Sequence, residues 1–184
     1  MFSFKIAGGI LPSLYIAFSA LVDAAPLCPK TINTAGGGLP NTTLPAAVSE
    51  GGIKEIQLAQ FLENLEVSFF TAGSANITKW GTNGYSNDSI EIVSKIAAVP
   101  LIPPCNYSFP VASTKEFFQL AHLIGSAGIG ATIGLSDRLA TTDPMLTRLV
   151  SSILTVESRH DTFFRHVQGD VPNPAPFDTG INDI

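Results

Sequence analysis

Val150-Ser151-Ser152-Ile153-Leu154-Thr155-Val156-Glu157-Ser158-Arg159-His160-Asp161-Thr162-Phe163-Phe164-Arg165-His166 is the stretch on which the fold turns. Asp143-Pro144 precedes it with a capping acid and a proline suited to a first turn, and Gly169 follows it, so the signals predict a helix to about Val167. With Ile153 at the centre of the apolar face, Leu146, Leu149, Val150, Phe164 and Val167 lie within about 60° of it at the usual helical advance. Glu157 and His160 lie on that same face.

A carboxylate and an imidazole three residues apart, both directed at a core, need compensation, because burying an unpaired charge costs on the order of several kcal/mol. Two readings of the pair stand side by side. Glu-x-x-His on an inward helix face is the half-site that carboxylate-bridged di-iron and di-manganese bundles use, with one oxygen and one nitrogen ligand from a single turn. Equally, Glu157 and His160 can pair with each other, or with Arg159, at a partly wet helix end.

A second helical pattern begins near Gly52 and runs to Ala72, with Leu58, Phe61, Leu62, Leu65 and Phe69 on one face and Gly73 as its expected stop. Glu63 and Glu66 sit inside that pattern, Glu66 nearer the centre of the stripe. They read either as boundary carboxylates or as oxygen ligands for a metal shared with Glu157 and His160.

Between these segments, Ser74 to Ser89 is polar and turn-rich, hence an expected loop. Ser89 to Ala98 starts a helix with Ile92, Val93 and Ile96 on one side, but Val99-Pro100 and Pro103-Pro104 forbid its continuation. Ser113 or Thr114 is placed to cap the next helix. From Phe117 to Ser136 that helix carries no formal charge, and Asp137 is its expected end. Phe117, Leu120, Ile124, Ala131 and Leu135 share a face, while Gly125, Gly128, Gly130 and Gly134 leave little bulk; such a helix is buried among neighbours or crosses a membrane. With no basic flank after it, burial is the expectation. His122 and His166 are expected at the surface.

The N-terminus has the order of a secretory signal: Lys5, an uncharged apolar run from Ile6 to Val22, and a small-residue exit at Val22-Asp23-Ala24-Ala25. Cleavage after Ala24 removes Lys5 and Asp23 together, which leaves the formal charge at -5. Four sequons follow, at Asn41, Asn76, Asn87 and Asn106, each a glycan acceptor if solvated. The reading places all four outside the core helices. Cys28 and Cys105 are free to pair in an oxidising compartment or to bond another chain. The sparse, mildly acidic charge argues against nucleic acid as a partner, and no Gly-x-Ser-x-Gly or strand-linked Gly-rich loop suggests triad or nucleotide chemistry. The expected plan is a signal peptide at 1–24, an extended arm at 25–51, a helical domain at 52–170 and an irregular tail at 171–184.

Phe61-Leu62-Glu63-Asn64-Leu65-Glu66-Val67-Ser68-Phe69-Phe70 and the stretch from Val150 to His166 resemble the first- and fourth-helix signatures of a known family. It is the ferritin-like domain of desiccation-related and fungal stress-response or late sexual development proteins. Ile102 to Pro110 and Pro172 to Phe177 are similar to its secreted fungal branch. The resemblance implies an all-α, ferritin-like four-helix bundle and an iron or manganese site built from Glu63 or Glu66 with Glu157 and His160. The chain departs from that pattern at its second helix, which is cut short at Val99-Pro100, and at its third, which offers no carboxylate in its middle. A vestigial or mononuclear site is therefore the expectation, with no reaction assigned and a non-catalytic, cell-wall-associated structural bundle as the alternative. The missing half-helix would leave apolar faces open to self-association.

Overall fold

A computed structural model describes residues 45–96 and 107–181. Among them it has four helices and no strand: α1 (Glu50–Trp80), α2 (Asn87–Ile96), α3 (Thr114–Thr142) and α4 (Pro144–Gln168). The signal segment, Asn41, Asn106, Cys28, Cys105 and most of the N-terminal arm lie outside the described residues.

The Ser49 hydroxyl accepts the Gly52 N–H and so caps α1. The helix thus starts two residues inside the expected arm. It also does not stop at Gly73. A Cβ at residue 73 would collide with the Phe117 ring, so this glycine makes room for that ring of α3 against α1. Its small size serves packing, and the helix runs on for two more turns to Trp80. The connection shrinks to 81–86, where Gly81, Asn83 and Gly84 take positive φ values of 80°, 49° and 91°. Asn76 consequently falls within a helix and Asn87 opens one, contrary to the expectation that both sequons lie in loops.

The ten-residue α2 is short beside the 31, 29 and 25 residues of the others. Ile90, Val93 and Ile96 face the core, with Val93 fully buried, whereas Ile92 is on the outer side. Ser113 caps α3 by accepting the Glu116 N–H, and the Glu116 carboxylate reaches back to the Ala112 N–H. Thr114 donates to the Gly81 carbonyl at 2.6 Å, which fixes the start of α3 against the end of α1. Asp137 does not end α3; it is exposed on a helix that continues to Thr142. Asp143 leads into α4, but its carboxylate caps α1 instead, accepting the Ser49 backbone N–H at 2.9 Å and the Ser49 hydroxyl at 2.5 Å. Gly169, at φ 83°, closes α4 as the sequence predicts.

Two apolar clusters fill the interior. One joins Phe69, Phe70 and Ile77 of α1 with Val93, Phe117, Phe118, Ala121 and Phe164; the other joins Ile56 with Leu135, Leu139, Leu146 and Val150. These pairings run α3 antiparallel to both α1 and α4. Arg138 makes a two-pronged pair with Glu55, at 2.6 and 2.9 Å, beside the second cluster. By length and composition α3 could cross a bilayer, yet its residues from Phe117 to Leu139 supply much of this interior. Phe61, expected on the apolar face of α1, is instead about half exposed at 49 %.

Candidate functional site

Between the two apolar clusters three carboxyl groups come together in largely apolar surroundings. There α1 presents Glu63 and Glu66, one turn apart on the same face, and α4 presents Glu157. The three carboxyl groups line one small cavity, whose remaining wall includes Gly128, Thr132 and Leu135 of α3. Glu66 and Glu157 are buried. Burial, and then the neighbouring Glu157 charge, push Glu63 up to about 8. Glu66 is raised well above the ordinary carboxyl value, first by burial and then by Glu157, Glu63 and the hydrogen bond. The physical cause is common to both: apolar surroundings disfavour a carboxylate, and neighbouring carboxylates disfavour it further.

His160 stands at the edge of this group, its Nδ1 3.4 Å from Glu157 Oε2 and its side chain about a quarter exposed at 24 %. Arg159 is exposed. Glu157 thus meets the α1 carboxyls inside the bundle and also contacts His160.

A dinuclear centre of the carboxylate-bridged type draws a Glu from each of two helices and a Glu-x-x-His pair from each of the other two. Here α1 and α4 supply their shares, but α3 does not. Gly128 stands where a Cβ would lie 2.9 Å from Glu66 Oε1, so the glycine leaves room for the Glu66 carboxyl. Among the described residues no three His, Cys, Asp or Glu side chains are spaced to hold a metal ion. The residues present do not fit a dinuclear centre.

A second polar group went unread in the sequence. His122, expected at the surface, is only 20 % exposed at its side chain, and its Nδ1 lies 2.6 Å from Asp161 Oδ1. Arg165 Nη1 approaches His122 Nε2 at 3.2 Å. Asp161 sits about 80° from Ile153 at the standard helical advance, just outside the arc used to define the inward face. The signal was its i+4 relation to Glu157, which places both on one stripe of α4. His166 is exposed, as expected.

A family model described as a ferritin-like domain matches residues 90–170. The matched span holds most of α2, the whole of α3 and α4, and therefore Glu157 and His160, while Glu63 and Glu66 precede it. No curated protein matches the chain. With the four-helix arrangement, the match makes the fold an all-α bundle of ferritin-like type.

Proposed function

We propose that the chain is an exported, glycosylated ferritin-like protein of the stress- or development-associated kind, found outside the cell or in its wall, whose carboxyl cluster holds protons and catalyses no reaction. The observation that carries this reading is the seating of Glu66 between Gly128 and Glu157. A helix position that could have carried a further ligand carries a glycine, and the space is used by the carboxyl group of Glu66. Since no three of Glu63, Glu66, Glu157 and His160 are spaced to hold an ion together, weak binding of one iron or manganese ion after rearrangement of these side chains is the upper limit. Export rests on the basic start, apolar run and small-residue exit of the first 24 residues.

Metal analysis of protein purified from a secretory host, followed by calorimetric titration with Fe(II) and Mn(II), tests the reading. The expected result is no more than one ion per chain, lost in Glu157→Ala and His160→Ala. Two tightly held ions per chain would overturn it.

A second reading, a purely structural bundle, is favoured by the Glu157–His160 contact at 3.4 Å. On that reading the same substitutions lower the melting temperature and leave metal content untouched. In either case Phe61, Met145 and Val156 expose apolar surface on α1 and α4, which supports self-association. Sedimentation of the purified protein as a concentration-independent monomer counts against that clause. Release of the protein by alkaline carbonate extraction is the outcome expected of a chain with no retained membrane span.

A further inference from the structure

The polar group around His122 leads out of the bundle to the C-terminal segment. Asp161 Oδ1 meets His122 Nδ1 at 2.6 Å, and His122 Nε2 meets Arg165 Nη1 at 3.2 Å. Arg165 Nε in turn donates to the Val171 carbonyl at 2.7 Å. A guanidinium has donors only. Nε2 of His122 must therefore accept, which leaves the single ring proton on Nδ1, donated to Asp161. The arrangement requires a neutral imidazole in that one tautomer.

Beyond Val171 the chain turns back over α3. The Ile181 N–H donates to the Gly130 carbonyl at 2.9 Å. Ile181 also covers Gly134, where a Cβ would collide with the Ile181 carbonyl oxygen. The segment is thus fastened at two points, Val171 on Arg165 and Ile181 on the glycines of α3.

We propose that His122 is a proton-operated latch for this segment: neutral, it holds Arg165 on Val171; protonated, it lets Arg165 go and residues 171–181 leave the Gly130 and Gly134 face of α3. A protonated imidazole keeps its bond to Asp161 but turns an N–H, and a positive charge, towards the guanidinium. The two cations then repel, and Arg165 turns to solvent.

The charges around His122 leave Arg165 as the partner that responds. From α4 it is faced by Asp161 and Arg165; His166 is exposed. From α1, Glu66 packs at Gly128, six residues or about 9 Å further along α3, with Glu63 in the same cavity, and Glu55 pairs with Arg138 further along still. Lys115 and Glu116 on α3, Asp88 and Glu91 on α2, and Asp170 and Asp178 beyond α4 are all exposed.

Hydrogen exchange of the full chain at pH 5 and pH 7.5, corrected for intrinsic rates, tests the latch. The Ile181 amide, which bonds the Gly130 carbonyl, is expected to exchange about tenfold faster at pH 5, the size of one lost charge-assisted hydrogen bond. In His122→Gln, whose amide can donate to Asp161 and accept from Arg165 but does not titrate, that difference is expected to vanish. Gly134→Ala, which displaces Ile181 directly, is expected to exchange fast at both pH values and shows what release looks like. Equal corrected exchange at the two pH values in the unmodified chain, or a pH dependence that survives in His122→Gln, overturns the proposal. Should His122→Gln not fold, the midpoint of segment release is compared with the His122 ring titration by NMR; coincidence supports the latch and divergence overturns it.

Discussion

The carboxyl groups of Glu66 and Glu157 line one small cavity inside the bundle, near enough for a hydrogen bond between them to help hold Glu66 protonated. An ionised carboxylate can only accept, so a hydrogen bond between them needs a proton, and the raised Glu66 is the group that keeps one. That proton is held between two apolar clusters, beside a third acid, Glu63, raised to about 8. The three acids act as a unit whose charge state, more than any single contact, sets what the centre of the fold costs.

Stability should therefore fall as pH rises. An unfolded Glu ionises near 4.5, whereas Glu63 in the folded chain keeps its proton to about 8 and Glu66 is shifted in the same direction. Between those values the folded state binds more protons than the unfolded one, so each added pH unit weakens folding. The loss is on the order of a few kcal/mol from pH 5 to pH 8.5. Asp143 works in the opposite sense: hydrogen bonds from Ser49 lower it, so its contribution is present above its ordinary 3.8 and disappears in stronger acid. Urea unfolding is expected to show its highest midpoint near pH 5, with Glu63→Gln and Glu66→Gln together flattening the decline. A midpoint that holds steady or climbs towards pH 8.5 would contradict the buried cluster.

Gly73→Ala should destabilise the fold by about 1–3 kcal/mol, the usual range for overpacking a filled core. The added methyl falls on the Phe117 ring, which is itself stacked on Phe69 at 4.7 Å between centroids and cannot retreat freely. If residue 73 were a helix end open to solvent, alanine would leave the melting temperature unchanged or raise it.

Gly73 also shows where the sequence was legible and where it was not. A lone glycine after an apolar stripe reads as a stop, because only a contact 44 positions away reveals that its lack of a side chain serves packing. Asp137 misled in the same way, as an exposed acid on a continuing helix. The Glu157 and His160 stripe, the Ser113 cap and the Gly169 terminus were legible because each depends on spacing or on a local backbone need. Glu63, Glu66 and Glu157 could be placed on their faces in advance. Their meeting in one cavity could not, since it depends on the Gly128 position of α3, which is silent in the sequence. His122 was missed because its partner Asp161 comes from another helix.

Glycan attachment should distinguish the two described sequons. Asn87 is exposed at the first turn of α2, while Asn76 is part-buried within α1. Chain secreted from a eukaryotic host is expected to shift on endoglycosidase treatment, and Asn87→Gln should remove one step of that shift. Asn76→Gln is expected to alter it little. An unglycosylated product in the medium would remove the glycan clause and leave export standing, whereas retention of the chain inside the cell would remove both.

Gly128→Ala probes the seat of the cluster directly. Its Cβ would stand 2.9 Å from Glu66 Oε1, too close for contact, but the obstructing atom is the far end of a flexible side chain. The cost should therefore be modest, about 1 kcal/mol, and it should fall on the Glu66 carboxyl, not on the backbone of α3. A double-mutant cycle separates these possibilities. Glu66→Ala removes the obstructing oxygen, so adding Gly128→Ala to it should cost nothing, or gain slightly from the better helix propensity of alanine. The coupling between the two substitutions is then of the order of the single Gly128→Ala effect. Simple additivity would mean that Glu66 does not rest against Gly128, and the account of why α3 carries a glycine at this point would fail with it.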